Sequence, residues 1–268
     1  MKIRKTALAV SILAATIAAG LTARVNAGGE KIAFPEGFEK GTLYSVLDRH
    51  DIKQYRELYS SKDSVDAVRK GQPIPSGTVL TLVQYKAQVD AQGNPVKDAN
   101  GRFQKGDLVA YAVMEKRKGW GTEYGDDIRN GEWEYQVFGP DKKVNDKANL
   151  KGCFQCHKPH EGQDYVISLA RLSGSFPNAP VAKKSGPGIV SIADFLFGPE
   201  KVEVKPGQSI SWTNTDDSPH QVTVQASSTL RTPVILKGQS TTIQFKDAGL
   251  YDYICGLHPG MKGKIEVR

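Results

Sequence analysis

The chain has 268 residues, with 36 Lys plus Arg against 29 Asp plus Glu and a net charge of +7. Hydrophobic residues at 39% and charged residues at 24% exclude a collagen-like or disordered chain, and roughly 100–200 residues per domain leaves room for one or two domains. The basic balance does not mark a nucleic-acid binder, because four of the cations sit in the first 27 residues and the remainder of the chain carries only +3, with no clustered Lys/Arg face.

Residues 1–27 read as an export signal. Lys2, Arg4 and Lys5 precede an apolar run from Ala7 to Leu21, and Val25-Asn26-Ala27 offers small residues for cleavage. A retained anchor is the alternative, but 15 residues broken by Ser11, Thr16 and Gly20 fall short of the ~20 a spanning helix needs. The mature chain is therefore expected in the periplasm, without a membrane span. Export implies an oxidising compartment in which cysteines pair, so an odd count of three Cys demands an account.

Residues 28–173 read as a mainly β domain with a few short helices. Strands are expected at Thr78–Ala87, Leu108–Met114 and Trp133–Phe138, and helices at Ser64–Arg69 and Lys147–His157. The polar, glycine-bearing stretch from Asn94 to Gly106 suits a long hairpin connection. Residues 174–188, with three Pro among polar and small residues, read as a linker. As a flexible coil this tether spans a little over ~20 Å, which keeps two domains close without fixing them. Residues 189–268 contain seven short runs: Ile189–Ile192, Val202–Val204, Ser209–Thr213, Gln221–Val224, Thr241–Phe245, Leu250–Ile254 and Lys264–Val267. Turn residues separate them, the pattern of a small β-sandwich.

Cys153-Phe154-Gln155-Cys156-His157 fits the C-x-x-C-H pattern of covalent c-type haem attachment. Two thiols one helical turn apart can add to the two vinyl groups while the adjacent imidazole, His157, reaches the iron. A thioredoxin-like pair would need a βαβ context that is missing here. Farther on, His220, Cys255, His258 and Met261 supply two imidazoles, a thiolate and a thioether, the donor set of a blue-copper electron-transfer centre. Zinc is the alternative metal, but it rarely recruits Met. These two sites account for all three Cys and retire a disulfide.

A single haem motif late in a strand-rich domain resembles the cytochrome P-460 and cytochrome c′-beta family. The landmarks are Pro35-Glu36-Gly37-Phe38, Gly77-Thr78-Val79, Gly106-Asp107, Asn130-Gly131-Glu132-Trp133 with Phe138, and Cys156-His157-Lys158. The resemblance implies a β-sheet covering one haem face, with His157 as proximal ligand. Members that oxidise hydroxylamine carry a haem-crosslinked lysine where this chain has Leu82, and a distal glutamate where it has Ala112. Lys86, four residues on, leaves a shifted crosslink open. Period-two spacing places Leu80 and Leu82 on one strand face and Ala112 and Met114 on another. If those faces meet the haem, the wall is apolar and offers no general acid or base. It then suits electron transfer or a small neutral ligand such as nitric oxide; ordinary core packing of the same faces stands as the alternative. For the sixth iron position His50, Met114 or an open site remain, with His50 and His160 otherwise expected at the surface.

The stretch from Ile189 to Arg268 resembles amicyanin and pseudoazurin cupredoxins, through Tyr251-Asp252-Tyr253-Ile254-Cys255-Gly256-Leu257-His258-Pro259-Gly260-Met261. That resemblance implies a Greek-key sandwich, Asn214 tying the two ligand loops, and the edge of His258 as an exposed electron port. The whole chain then reads as a relay between one type 1 copper and one covalent haem c, exchanging electrons with a periplasmic redox protein. The alternative is a nitric-oxide-binding or nitrogen-oxide-converting haem protein fed by its own copper domain. Whether the chain is an enzyme stays open, with hydroxylamine oxidation disfavoured by Leu82 and Ala112.

Overall fold

The computed structural model describes residues 31–175, 188–225, 227 and 229–268, so the expected signal and most of the expected linker lie outside the described residues. The first part is an antiparallel meander whose five strands follow chain order: β1 (Thr42–Arg49), β2 (Gln54–Ser60), β3 (Val79–Ala87), β4 (Lys105–Lys116) and β5 (Trp133–Phe138). The sequence pattern does not predict β1 and β2. They carry Asp48, Arg49, Arg56 and Glu57, whose charges break the apolar alternation by which strands are read.

Period-two alternation gives this sheet two covered faces. On one, Val83, Tyr111, Val113 and Phe138 pack under Ile32, Phe34 and Phe38. On the other, Leu80, Met114, Trp133 and Tyr135 meet Phe154 and Leu172 from the helices and Val166 from the segment between them. Helix α1 (Lys62–Arg69) starts where Ser61 Oγ accepts the Ser64 N–H, and it buries Val65 and Val68. Helix α2 (Leu150–His157) begins three residues later than expected, at the Asn149 cap, whose Oδ1 accepts the Gly152 N–H at 3.1 Å. Helix α3 (Leu169–Leu172) follows.

The second part is a Greek-key β-sandwich of two four-stranded sheets. One has the order β10 (Val222–Val224), β12 (Gly249–Cys255), β13 (Lys262–Val267), β8 (Lys201–Val204). The other has β11 (Ser240–Gln244), β9 (Ser209–Asn214), β6 (Ile189–Ala193), β7 (Leu196–Gly198). The seven expected strands are present and β7, only three residues long, is an eighth. Trp212, Ile210, Tyr253 and Ile265 fill the core between the sheets.

The two parts touch, and the contact is partly ionic. Asp217 of the sandwich accepts from Arg171 of α3 at 2.6 Å and from Lys237 at 2.6 Å. Arg49 of β1 pairs with Asp51 through two bonds of 2.8 and 2.7 Å and lies 3.8 Å over the ring of Phe195. Gly260, in the loop before β13, lies so close to the β1–β2 turn that an added Cβ would collide with the Asp51 carbonyl.

Candidate metal centre and haem cavity

The loop between β12 and β13 folds back on itself. The Cys255 N–H donates to Met261 O at 3.2 Å, the His258 N–H to Cys255 O at 3.2 Å, and the Met261 N–H to His258 O at 2.9 Å. These bonds bring Cys255, His258 and Met261 together, and Met261 is buried beside Cys255 in the sandwich core. His220 enters from the loop after β9. The His220 and His258 Nδ1 atoms each lie 3.6 Å from Cys255 Sγ and 3.3 Å from one another. Ligands at about 2.0 Å (N) and 2.3 Å (S) from one ion would stand about 3.3–3.5 Å apart for N and N and 3.5–3.7 Å for N and S. His220, Cys255 and His258 therefore fit a single ion. Burial alone would raise the Cys255 thiol, but the neighbouring His220 and His258 imidazoles and the Gln221 N–H bring it down to about 5, which favours the thiolate.

Asp216 is a partner that sequence reasoning missed. Its Oδ2 lies 3.0 Å from His220 Nε2, which takes the proton there and turns Nδ1 toward the ion site. The same carboxylate accepts the N–H groups of Asp194 (2.6 Å) and Phe195 (2.9 Å). Its place four residues before His220 is the available signal. Asn214 acts differently from expectation. Its Nδ2 donates to Ser218 O and Ile235 O, and its Oδ1 accepts the Asp216 N–H, so it braces the His220 loop against the 235 segment rather than against the Cys255–Met261 loop.

A cavity of about 400 Å³ lies between the sheet, α2 and the edge of the sandwich that carries Phe195 and His258. Cys153, Cys156 and His157 line it, as do Leu82 and Ala112, directly paired across β3 and β4. The Cys thiols are unbridged and one helical turn apart. His157 Nδ1 is held by Tyr165 O at 2.7 Å, which leaves Nε2 for an axial bond. Burial pulls this imidazole down to about 4, outweighing the Tyr165 bond, so it is neutral and able to ligate at pH 7. The carbonyl is aimed by two consecutive left-handed residues, Asp164 and Tyr165, with Asp164 anchored by Lys116 at 2.6 Å and Trp133 at 3.3 Å. A volume with two free thiols and a free imidazole nitrogen fits a covalently tethered porphyrin.

The wall is less apolar than expected. Leu58, Leu80, Leu82, Ala112 and Met114 line it, but so does Arg56, on β2. Burial, and after it the neighbouring Arg49, pull this guanidinium down to about 9, and both Nε and Nη2 bond the neutral Gln54 Oε1. Met114 lines the cavity, whereas His50 lies outside it with its ring 4.5 Å from that of Phe103. Lys86 is exposed and does not line it. His160 is buried, contrary to expectation, because the turn after α2 folds it under the helix, and burial lowers its pKa. His258 is not turned to open solvent as an outward port would be: it is half-buried, packed edge-on against Phe195, and lines the haem cavity.

Comparison with known proteins agrees with both halves. Residues 35–168 match the family described as Cytochrome P460, and residues 166–267 match the cupredoxin-like domain. Amicyanin-alpha of Methylorubrum extorquens is 36% identical over 104 residues, covering 37% of this chain and 87% of the relative. Amicyanin of Paracoccus denitrificans is 32% identical over 106 residues, covering 38% and 81%. Among solved structures, a reduced copper(I) form of an amicyanin variant is 31% identical, covering 32% of this chain and 85% of that one, with a TM-score of 0.29. Sheet platform, sandwich and the two donor sets define a two-domain redox architecture. The chain belongs to the cytochrome P460 family and carries an amicyanin-like cupredoxin domain behind it.

Proposed function

We propose that the protein relays single electrons between one type 1 copper, held by His220, Cys255, His258 and Met261, and one covalent haem c, held by Cys153, Cys156 and axial His157. The domains that carry these sites are taken as residues 28–173 and 189–268, joined by 174–188 and exported to the periplasm after loss of 1–27. When bound, the two groups supply two one-electron couples. The protein's own residues hold the donors in place, exclude water and set the distance between the sites. One observation carries the reading: His258, a proposed copper ligand, lines the same cavity as Cys153, Cys156 and His157. Cupredoxins are electron-transfer proteins that work with redox partners, so an external periplasmic redox protein completes the proposal. Among the described residues no helix is long and apolar enough to cross a membrane.

The test is to inject less than one electron per loaded chain and follow both absorption bands. Exchange at a rate independent of protein concentration is expected. A rate rising linearly with concentration overturns the relay.

A second reading is favoured by the largely apolar wall of Leu58, Leu80, Leu82, Ala112 and Met114. In it the haem keeps an open position for nitric oxide, and copper feeds it. A high-spin ferric haem whose spectrum changes with nitric oxide supports this reading, while a six-coordinate low-spin haem indifferent to the gas removes it. Leu82 and Ala112 stand where a crosslinking lysine and a distal glutamate would serve hydroxylamine oxidation, so that reaction is disfavoured.

A further inference from the structure

We infer that Phe195 is the joint through which the copper site and the haem cavity are in packed contact, and that Asp216 is the positioning residue that holds it there. This rests on the relay reading and adds to it the route and its control.

Phe195 is 7% exposed and sits between the two halves. On the sandwich side its ring meets His258 edge-on, with centroids 5.0 Å apart, and His220 at 5.4 Å. From the first domain the Arg49 guanidinium lies 3.8 Å from the ring centroid. The residue also lines the cavity that holds Cys156 and His157. Phe195 thus touches both proposed copper imidazoles and the wall of the haem domain. Electrons cross packed matter more readily than a gap, and the Phe195 ring adds packed contact between the His258 imidazole and the first domain.

The ring stands in this place at a conformational cost. Asp194 (φ 51°) and Phe195 (φ 56°) are both in the left-handed region, which L-residues avoid and which rarely recurs in consecutive non-glycine positions. Both of their N–H groups are taken by the Asp216 carboxylate, whose Oδ2 also holds His220 Nε2. Asp216 is itself fixed by the 2.8 Å bond from its N–H to Asn214 Oδ1. One buried carboxylate therefore sets both the orientation of a metal-site imidazole and the turn that presents the joint. The transfer itself takes one electron from Cu(I), leaving Cu(II), and reduces Fe(III) to Fe(II), with no bond made or broken; the reverse direction balances equally.

The experiment uses the full chain with both groups loaded, and compares wild type, Phe195→Ala, Asp216→Asn and, as a control, Leu196→Ala, an exposed neighbour. Readouts are the intramolecular exchange rate after pulsed reduction, the copper EPR and visible spectra, and the small-angle scattering radius. In Phe195→Ala the exchange should fall below the wild-type rate as packed contact gives way to a gap, with copper spectra and radius unchanged. Asp216→Asn should show the same slowing together with altered copper EPR parameters, which loss of the turn alone would not produce. Leu196→Ala should match wild type. Wild-type exchange in a docked Phe195→Ala chain overturns the proposal, and so does slowing that appears only with an expanded radius, since Phe195 would then be a docking contact. If Asp216→Asn fails to fold, Phe195→Ala decides alone. Absence of concentration-independent exchange in wild type would instead strike the relay reading itself.

Discussion

Replacing Asp217 with Ala tests whether the two domains act as one docked unit. The Asp217 carboxylate bonds both Arg171 of the haem domain and Lys237 of the sandwich, at 2.6 Å each. Its side chain is 9% exposed and that of Arg171 21%, so the pair lies between the exposed regime of up to ~1 kcal/mol and the buried regime, where breaking a pair costs ~3–5 kcal/mol. About 2 kcal/mol is the resulting expectation, roughly a thirtyfold loss in the docking equilibrium, because the substitution also leaves two cations facing one another. A short tether supplies an effective concentration near ~1 mM, so such a loss should shift the chain visibly toward an open form. Small-angle scattering should show a larger radius, and intramolecular exchange should slow. Wild type should approach the same behaviour at 1 M salt, where the screening length falls to ~3 Å. A variant that stays as compact and as fast as wild type, in a salt-insensitive manner, would refute the ionic clamp.

Four further outcomes are expected. Met261→Leu should still bind copper through His220, Cys255 and His258 but shift its visible spectrum and reduction potential, since the axial donor tunes both; unchanged values would remove Met261 from the site. Cys153→Ser or Cys156→Ser should leave haem that acid–acetone extracts or that remains on a single thioether, checked by mass spectrometry. Phe154→Ala, which empties a fully buried site between the Tyr124 and Tyr135 rings at 4.9 and 4.7 Å, should cost about 3–5 kcal/mol in denaturant unfolding. Burial lowers the His160 pKa below 6.5, against the opposing pull of Asp217. The unfolded chain thus binds the extra proton first: this stabilisation is complete above pH 6.5 and is lost as pH falls toward the folded-state value. His160→Leu apoprotein should accordingly show a shallower fall in thermal midpoint from pH 7 to pH 5 than wild type.

Local patterns carry much of the fold in the sequence. Trp133–Phe138 has the expected bounds because its aromatic and β-branched residues are closed off by Gly139-Pro140. The proposed copper donors are legible because three of them share one short loop and their chemistry is specific. What stays hidden is non-local. β1 and β2 carry charges whose partners lie elsewhere: Glu57 meets Lys105 at 2.6 Å, and Asp48 bonds the Phe103 N–H at 3.3 Å. Arg56 escapes notice as part of the cavity wall for the same reason. Phe195 lies outside every expected strand, and nothing in a linear sequence reveals that the first domain packs against it. The outward edge of His258 is implied by the cupredoxin resemblance alone, and the packing of Phe195 beside it and of the first domain across the cavity is what the sequence does not reveal.

Gly260 has a consequence for anyone wishing to engineer the chain. Its Cα lies against the backbone of Asp51, with the Asp51 Cβ only 3.1 Å from where a methyl group would stand. The copper loop is thus moulded to the neighbouring hairpin, and grafting in a foreign loop with a bulkier residue at that place would pry the halves apart even with every metal donor retained. Modular as the two domains look, they are not freely interchangeable parts.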